Sequence, residues 1–508
     1  MSEGMQEGRN AVLIDDKDNV VIAIYPLKAG DEVRYPAREG GLVTFVATED
    51  IPLFHKIARV DIAVGQNVVK YGEFIGVATR DIKRGQHVHT QNCESSDDLE
   101  GVAVEDVASA SERKAVSTKC TRTFMGYRRS DGQVGIRNHV LILPTSICAS
   151  DTTERIARSV DGCVTFHNQN GCSQVNIDQQ MTVDTLAGLA ANPNIYSVLA
   201  VSLGCEGCQN DLVVDAIAKR TNKEVRTLII QEVGGSIRAV EEGTRIAREL
   251  VREASLCERE ECGVDELIFG TNCGGSDTSS GLGSNPLIGE VSDWMVAQGA
   301  TTVLCETPEL FGGEHILARR AATPEVGEQV LKIVRDYEKY VQMFGAQMRE
   351  GNPSPGNMAG GLTTLEEKSL GCIHKAGHST INAVYPYAAH IASHQGLVVM
   401  DTPGNDPSSV GGIIAGGCQL VVFSTGLGTP TGNAIAPVLR LTANGRTART
   451  MADNIDFDAQ AAIYGPQSME ELRDELIDQI IRVCNGEPTC AEALGYTETA
   501  LPHLCNYM

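Results

Sequence analysis

Hydrophobic and polar residues change period along the chain, and the change divides it. Residues 1–92 carry short β-branched runs at 20–25, 42–47 and 60–64, set apart by turns at Gly30, Gly40, Gly65 and Gly85. This predicts a small all-β domain. It closes with a strand over 86–92, whose alternation puts His87 and His89 on one face. Residues 93–120 are rich in Ser, Ala, Asp and Glu without sustained period and read as a linker.

From residue 121 the pattern becomes strand, glycine-rich loop, helix. Apolar runs fall at 139–143, 197–202, 227–230, 266–269, 301–304, 381–384, 397–400 and 420–423. Residues 236–260 and 325–350 repeat apolar positions at i, i+3, i+4 and predict helices. A last helix starts at Ser468, where Glu471 completes a capping box, and runs to Gly486. The fold class is α/β: a small N-terminal all-β domain followed by a large parallel α/β core of two Rossmann-like subdomains. The Pro/Gly-rich stretch 351–357 places their boundary at 360, giving domains 121–360 and 361–508.

Three loops stand directly after strands and carry Gly-flanked cysteines: Cys172, Cys205 and Cys273. Ligands of open α/β sheets bind at the carboxyl ends of strands, so these thiols are candidates to converge on one metal or iron–sulfur cluster. A strand-end cysteine taken singly is a small core residue. His87 and His89, two residues apart on a strand, can chelate one ion; His55 and His167 are further candidates. Arg128, Arg137, Lys368 and Lys375 lie near Gly-rich segments and read as anion hooks, the bland alternative being solvated surface. The loops 351–357 and 424–430 can present amides to an anion, yet neither is a Walker loop, and no Gly-x-Gly-x-x-Gly follows an early strand. Cys205 and Cys208 mimic a redox pair, but no thioredoxin-like unit surrounds them.

Composition narrows the partners. The chain of 508 residues has 42 Lys+Arg against 66 Asp+Glu, a formal net charge of −24, which repels nucleic-acid backbones. No apolar run reaches membrane-spanning length, and the first residues carry no secretory pattern, so a cytoplasmic location is expected. In that compartment 16 cysteines do not read as a disulfide framework.

Longer motifs now matter. Residues 54–58 and 70–76 in the β domain, and 126–128, 131–138, 171–174, 204–206, 273–277, 352–357, 368–371 and 454–458 in the core, resemble the altronate/galactarate dehydratase family of sugar-acid hydro-lyases, and its altronate branch most. The N-terminal domain is similar to that family's SAF-type, β-clip domain. One departure stands out: where the family's loop reads Gly-Arg-Gly-Thr-Pro, this chain has Leu427.

The resemblance implies dehydration of a small anionic 2,3-dihydroxy sugar acid to a 2-keto-3-deoxy acid. Its alternatives are galactarate dehydration, a sulfo-lyase acting on an acid such as sulfolactate, and a non-catalytic sugar-acid-binding protein. It implies a divalent metal, Fe2+ or else Mn2+ or an iron–sulfur cluster, and a homo-oligomer, a dimer or larger. The implied site comprises His55, Lys56, His167, Glu206 and Asp277 as proton-transfer groups. Arg128, Arg137, Ser276, Ser354, Asn357, Lys368, Lys375 and Thr425 would contact substrate, and Cys172, Cys205, Cys273, His87 and His89 would hold the metal.

Overall fold

Val20, Val21 and Ile22 favour extended backbone because branching at Cβ restricts χ1, and they build the wholly buried strand Val20–Ala23. That strand pairs antiparallel with Ala11–Val12 and Lys56–Ala58, and His87–Val88 adds a fourth strand. The hairpin Glu32–Pro36/Leu42–Val46 and the three-stranded sheet of Asn67–Lys70, Glu73–Ala78 and Cys93–Glu94 complete the β domain. The computed structural model describes residues 8–37, 40–95 and 120–508. Most of the expected linker, residues 96–119, lies outside the described residues.

Two local expectations are corrected. Residues 60–64 form no strand: Asp61 accepts hydrogen bonds from Lys83 and the Arg84 amide, and only an isolated bridge joins Ile62 to Ile82. The 86–92 strand is shortened to His87–Val88, because the Asn92 and Cys93 amides fold back onto the His89 carbonyl.

The core contains two parallel sheets. A four-stranded sheet runs Cys163–Val164, His139–Pro144, Ile195–Ser202, Val225–Ile229 in spatial order. A seven-stranded sheet runs Ile381–Tyr385, Gly396–Met400, Thr301–Leu304, Ile268–Cys273, Leu420–Ser424, Val438–Thr442, Phe457–Asp458. The expected boundary at 360 is therefore corrected, since it would cut the larger sheet. The sheets change instead between Ile229 and Ile268, across the helix Ser236–Ala254. That helix stops short of the expected residue 260 because Glu260–Gly263 pairs with Thr123–Arg128, so tertiary pairing overrides the helical pattern. The helix Pro324–Gln342 likewise ends before 350. Ser468 caps Met469–Cys484 with the predicted box.

The β domain is packed into the core. Its Val20, Ala58, Val68 and Ile75 share one buried cluster with Leu304, Leu310, Leu365, Leu370 and Val399 around the seven-stranded sheet. Burying each Val, Leu or Ile of this cluster stabilises by roughly 1.5–3 kcal/mol. The sheet thus carries a lid made of a different domain.

Candidate active site

The seven-stranded sheet starts in its middle, at Ile268–Cys273. The chain lays its next strands on one side and then crosses to Leu420–Ser424 on the other. Carboxyl ends at such a reversal splay apart into a crevice. Loops 273–277 and 425–429 form its walls: the Leu427 amide donates to the Gly275 carbonyl at 2.8 Å, and the Gly428 amide donates to Thr425 Oγ1 at 2.9 Å. Asp277 sits at the base, fully buried, with bonds from Ser279 Oγ (2.5 Å) and Asn444 Nδ2 (2.8 Å). A Cβ at Gly426 would lie 2.2 Å from its Oδ1, so only glycine admits this approach.

The rim is built by residues 351–361. Ser354 caps the short helix Pro355–Ala359, and Asn357 Nδ2 donates to the Ser276 carbonyl at 2.7 Å. Leu427 is exposed above this rim.

Lysine and carboxylates line one wall. Lys368 Nζ donates to Glu309 Oε1 and Asn352 Oδ1, both at 2.8 Å, which leaves one of its three protons without an acceptor among the described residues. Glu309 Oε2 is buried without a partner among the described residues. Asp406 opens the helix Asp406–Ala415 and presses on Gly274, whose added Cβ would lie 2.2 Å from Oδ2. Burial, then the neighbouring Cys273 and Glu309 charges, push its carboxyl up to about 7.

Behind this wall Lys375 Nζ is caged at 2.9 Å from Cys273 Sγ, 2.9 Å from Cys372 Sγ and 2.6 Å from Glu306 Oε2. All four side chains are buried. Glu306 holds a left-handed backbone (φ 71°), uncommon for a residue with a Cβ, and its carboxylate also receives the Cys273 amide.

The lid supplies three imidazoles. His55 Nδ1 and His87 Nε2 lie 2.9 Å apart, His89 Nδ1 lies 3.1 Å from Thr363 Oγ1, and His55 Nε2 lies 3.2 Å from the Ala359 carbonyl. One ligand nitrogen from each falls within 4.8 Å of the others. Burial pushes His87 down to about 4 and His89 to about 3, and lowers His55, so all three are neutral at pH 7. Neutral imidazoles are metal donors, and this set fits a divalent ion. Phe54, left-handed at φ 66°, turns the chain into His55, and its carbonyl lies 2.3 Å from where a Cβ at Gly361 would stand.

A buried ion-pair triad fastens the lid. Glu367 bridges Lys56 Nζ and Lys70 Nζ, each at 2.7 Å, with all three side chains 0% exposed. Burial raises the proton affinity of Glu367, but the two lysines outweigh it and hold the carboxyl at about 2. Lys56 also donates to the Gly361 carbonyl, so its ammonium is wholly engaged and a role as free base is corrected to that of a fastener.

Other expected site residues fall elsewhere. The thiolate set is corrected: Cys172 and Cys205 lie in loops that follow strands of the four-stranded sheet, and with Cys273 they form no ligand group among the described residues. The set that does surround Cys273 already holds the Lys375 ammonium where a cation would sit. That ammonium is itself fully engaged, which also corrects the reading of Lys375 as a substrate contact. Glu206 accepts from Thr145 Oγ1 (2.8 Å) and from the Leu203 (2.8 Å) and Gly204 (2.6 Å) amides, so its carboxylate is a loop clasp. His167 pairs with Glu154 at 3.3 Å on that same subdomain's surface. Arg128 grips Glu260 and Glu266 near the amino end of Ile268–Cys273, roughly 20 Å of strand from the crevice. Arg137 is spent on Glu492 and the Val483 and Glu487 carbonyls.

Sequence reasoning left Glu306, Glu309, Cys372, Glu367, Lys70 and Asp406 out of the site. Glu306, Glu309 and Asp406 had a signal: they lie two to six residues beyond the ends of parallel strands, at the same edge of the sheet as Cys273. Cys372 and Glu367 lie within the helix Leu365–Ile373 and had none.

Comparison with known proteins bears on this geometry. Three family profiles match: an altronate/galactarate dehydratase SAF domain over residues 9–96, a D-galactarate dehydratase/altronate hydrolase second domain over 126–255, and a D-galactarate/altronate dehydratase C-terminal domain over 264–506. The altronate dehydratase of Escherichia coli (strain K12) is 36% identical over 495 residues, 95% of this chain and 97% of the relative. That of Bacillus subtilis (strain 168) is 33% identical over 503 residues, 97% and 98%. The (2R)-sulfolactate sulfo-lyase subunit beta of Chromohalobacter salexigens is 38% identical over 385 residues, 75% of this chain and 98% of that subunit.

Proposed function

The chain belongs to the altronate/galactarate dehydratase family, and on that premise we propose that it dehydrates an altronate-type sugar acid to a 2-keto-3-deoxy acid. It is a hydro-lyase. The observation that carries the proposal is the roofed crevice, in which the carboxyl of Asp406 has no hydrogen-bond partner among the described residues and stands near the Lys368 ammonium.

Elimination of water from a 2,3-dihydroxy acid needs three things. The carboxylate must be held, the α-proton must be removed, and the β-hydroxyl must leave as water. Lys368 offers its remaining proton to the substrate carboxylate. Asp406, when ionised, accepts the α-proton. The C3–O bond then breaks as the C2–C3 double bond forms, the hydroxyl leaves as water with the proton that Asp406 took from C2, and the resulting enol tautomerises to the keto acid. Ser276 and Thr425, on the crevice loops, would bond the substrate's hydroxyls. Asp277 holds these loops in position.

His55, His87 and His89 would hold the divalent metal, iron or manganese, and it would supply Lewis-acid stabilisation of the developing charge. The cytoplasm is part of the same proposal as its place of action.

A second reading, C–S cleavage with release of sulfite, is favoured by the likeness of residues in the core to the sulfo-lyase subunit. One assay separates the two. Anaerobically purified protein, supplied with Fe2+, is presented with altronate, galactarate and sulfolactate, and keto acid and sulfite are measured. Keto acid from altronate is expected. Sulfite from sulfolactate alone would replace the first reading, and no product from any acid would overturn both.

A further inference from the structure

Cys273 and Cys372 come from segments 99 residues apart, and their sulfurs lie 3.7 Å apart with Lys375 Nζ 2.9 Å from each. Two buried thiols in contact are by themselves ordinary packing. The lysine changes that. A buried ammonium between two sulfurs and a carboxylate favours negative charge on sulfur, and the cage can hold one thiolate and one thiol. The hydrogen bond from Cys372, together with Lys375, draws the Cys273 thiol down to about 5 in spite of burial, while the proton that remains is held on Cys372. Other buried thiols behave oppositely: burial pushes Cys93 and Cys484 up to about 12. The arrangement is that of an attacking thiolate with its resolving partner.

We propose that Cys273 and Cys372 are an oxidisable pair, converted by a hydroperoxide into a disulfide that closes the crevice wall reversibly. The Cys273 thiolate attacks the peroxide, so that an S–O bond forms, the O–O bond breaks, and hydroxide leaves. The Cys372 sulfur then displaces hydroxide from that sulfenic acid, and its thiol proton leaves in water. In sum, thiolate, thiol and hydrogen peroxide give disulfide, hydroxide and water; two sulfurs lose one electron each and the peroxide gains two.

The consequence is local. The disulfide ties the helix Leu365–Ile373, which carries both Lys368 and Glu367, to the end of Ile268–Cys273. It also strips Lys375 of its anionic sulfur.

The test reads chemistry before activity. Full-length protein is treated with hydrogen peroxide, free thiols are alkylated, and peptides are mapped by mass spectrometry. The expected result is a Cys273–Cys372 linked pair lighter by two hydrogens and restored by a dithiol reductant. In Cys372→Ser the oxidation should stop at Cys273 as a sulfenic acid, trapped by a 1,3-diketone probe. Recovery of both thiols free after treatment that has oxidised the exposed Cys148, Cys205 and Cys505 would overturn the proposal, whatever the substrate proves to be. So would an oxidised product joining Cys273 to Lys375 instead.

Discussion

The two parallel sheets present the same topological opportunity and use it differently. Each begins on an inner strand, adds a neighbour on one side and crosses to the other, so each has a crevice at its carboxyl ends. Each crevice is flanked by Gly- and Cys-bearing loops, 203–208 in the smaller sheet and 273–277 in the larger. In the smaller sheet the Glu206 carboxylate satisfies Thr145 and two loop amides, and the crevice is stitched shut by its own polar groups. In the larger sheet Asp406 and one oxygen of Glu309 have no hydrogen-bond partner among the described residues, and a second domain brings three imidazoles over the top. A strand-end motif locates a crevice; reactivity needs groups that the fold does not consume.

Asp406→Asn is the most severe break of that contrast. It removes the free carboxyl while keeping its shape, and kcat should fall by about 10²–10⁴-fold. In the unaltered protein, kcat should rise with pH through about 7 as Asp406 ionises. The same group carries a stability signature. Its folded pKa lies above the ordinary 3.8, so between 3.8 and about 7 the unfolded chain releases a proton that the folded chain keeps, and Asp406 makes stability fall as pH rises through that window. Asp406→Asn should therefore melt higher than the parent at pH 8, and equal melting at that pH would count against a buried free carboxyl.

Glu367→Gln tests the lid. Two buried lysines would lose their shared counter-charge, a loss of about 3–5 kcal/mol by denaturant unfolding, with weakened iron binding measured in the same sample. Lys368→Met should raise KM by about 10–100-fold, since a charged hydrogen bond contributes roughly 1.5–3 kcal/mol; an unchanged KM would remove Lys368 as the carboxylate anchor.

The smaller sheet should respond in the opposite sense. Glu206→Ala leaves two amides and a hydroxyl unmatched and should lower stability by about 1–3 kcal/mol, with kcat per folded molecule preserved. A Glu206→Ala protein that is stable yet inactive would reverse the assignment of the two crevices. Cys205→Ser, at an exposed position, should leave both stability and iron content unaltered within about 0.5 kcal/mol and measurement error respectively. Loss of iron from that variant would restore Cys205 as a ligand.

How much of the site was legible follows from where its residues lie. His87 and His89 were readable as a pair because alternation along a strand needs no tertiary information. That Ser276, Asp277 and Thr425 lie on crevice loops was readable because a parallel strand delivers its following loop to a known end of the sheet; that the Asp277 carboxylate is bonded by Ser279 and Asn444, and so is a loop anchor where a proton-transfer group was expected, was not. Arg128 and Cys205 had the same surface credentials, and nothing local distinguished a spent side chain from a free one. The 360 boundary misled because a Pro/Gly-rich stretch looks alike whether it links domains or forms the rim of a crevice within one.

The sequence by itself determined the all-β start, the parallel α/β core and the family, because period, capping and motif order are local or nearly local properties. Tertiary structure alone decided which crevice keeps carboxylate oxygens without partners among the described residues. Lys56 meets Glu367 across 311 residues, Lys375 meets Cys273 across 102, and Thr364 meets Ile75 across 289. Whether a buried charge is consumed or left free depends on such partners, and no window along the chain contains both members of a pair.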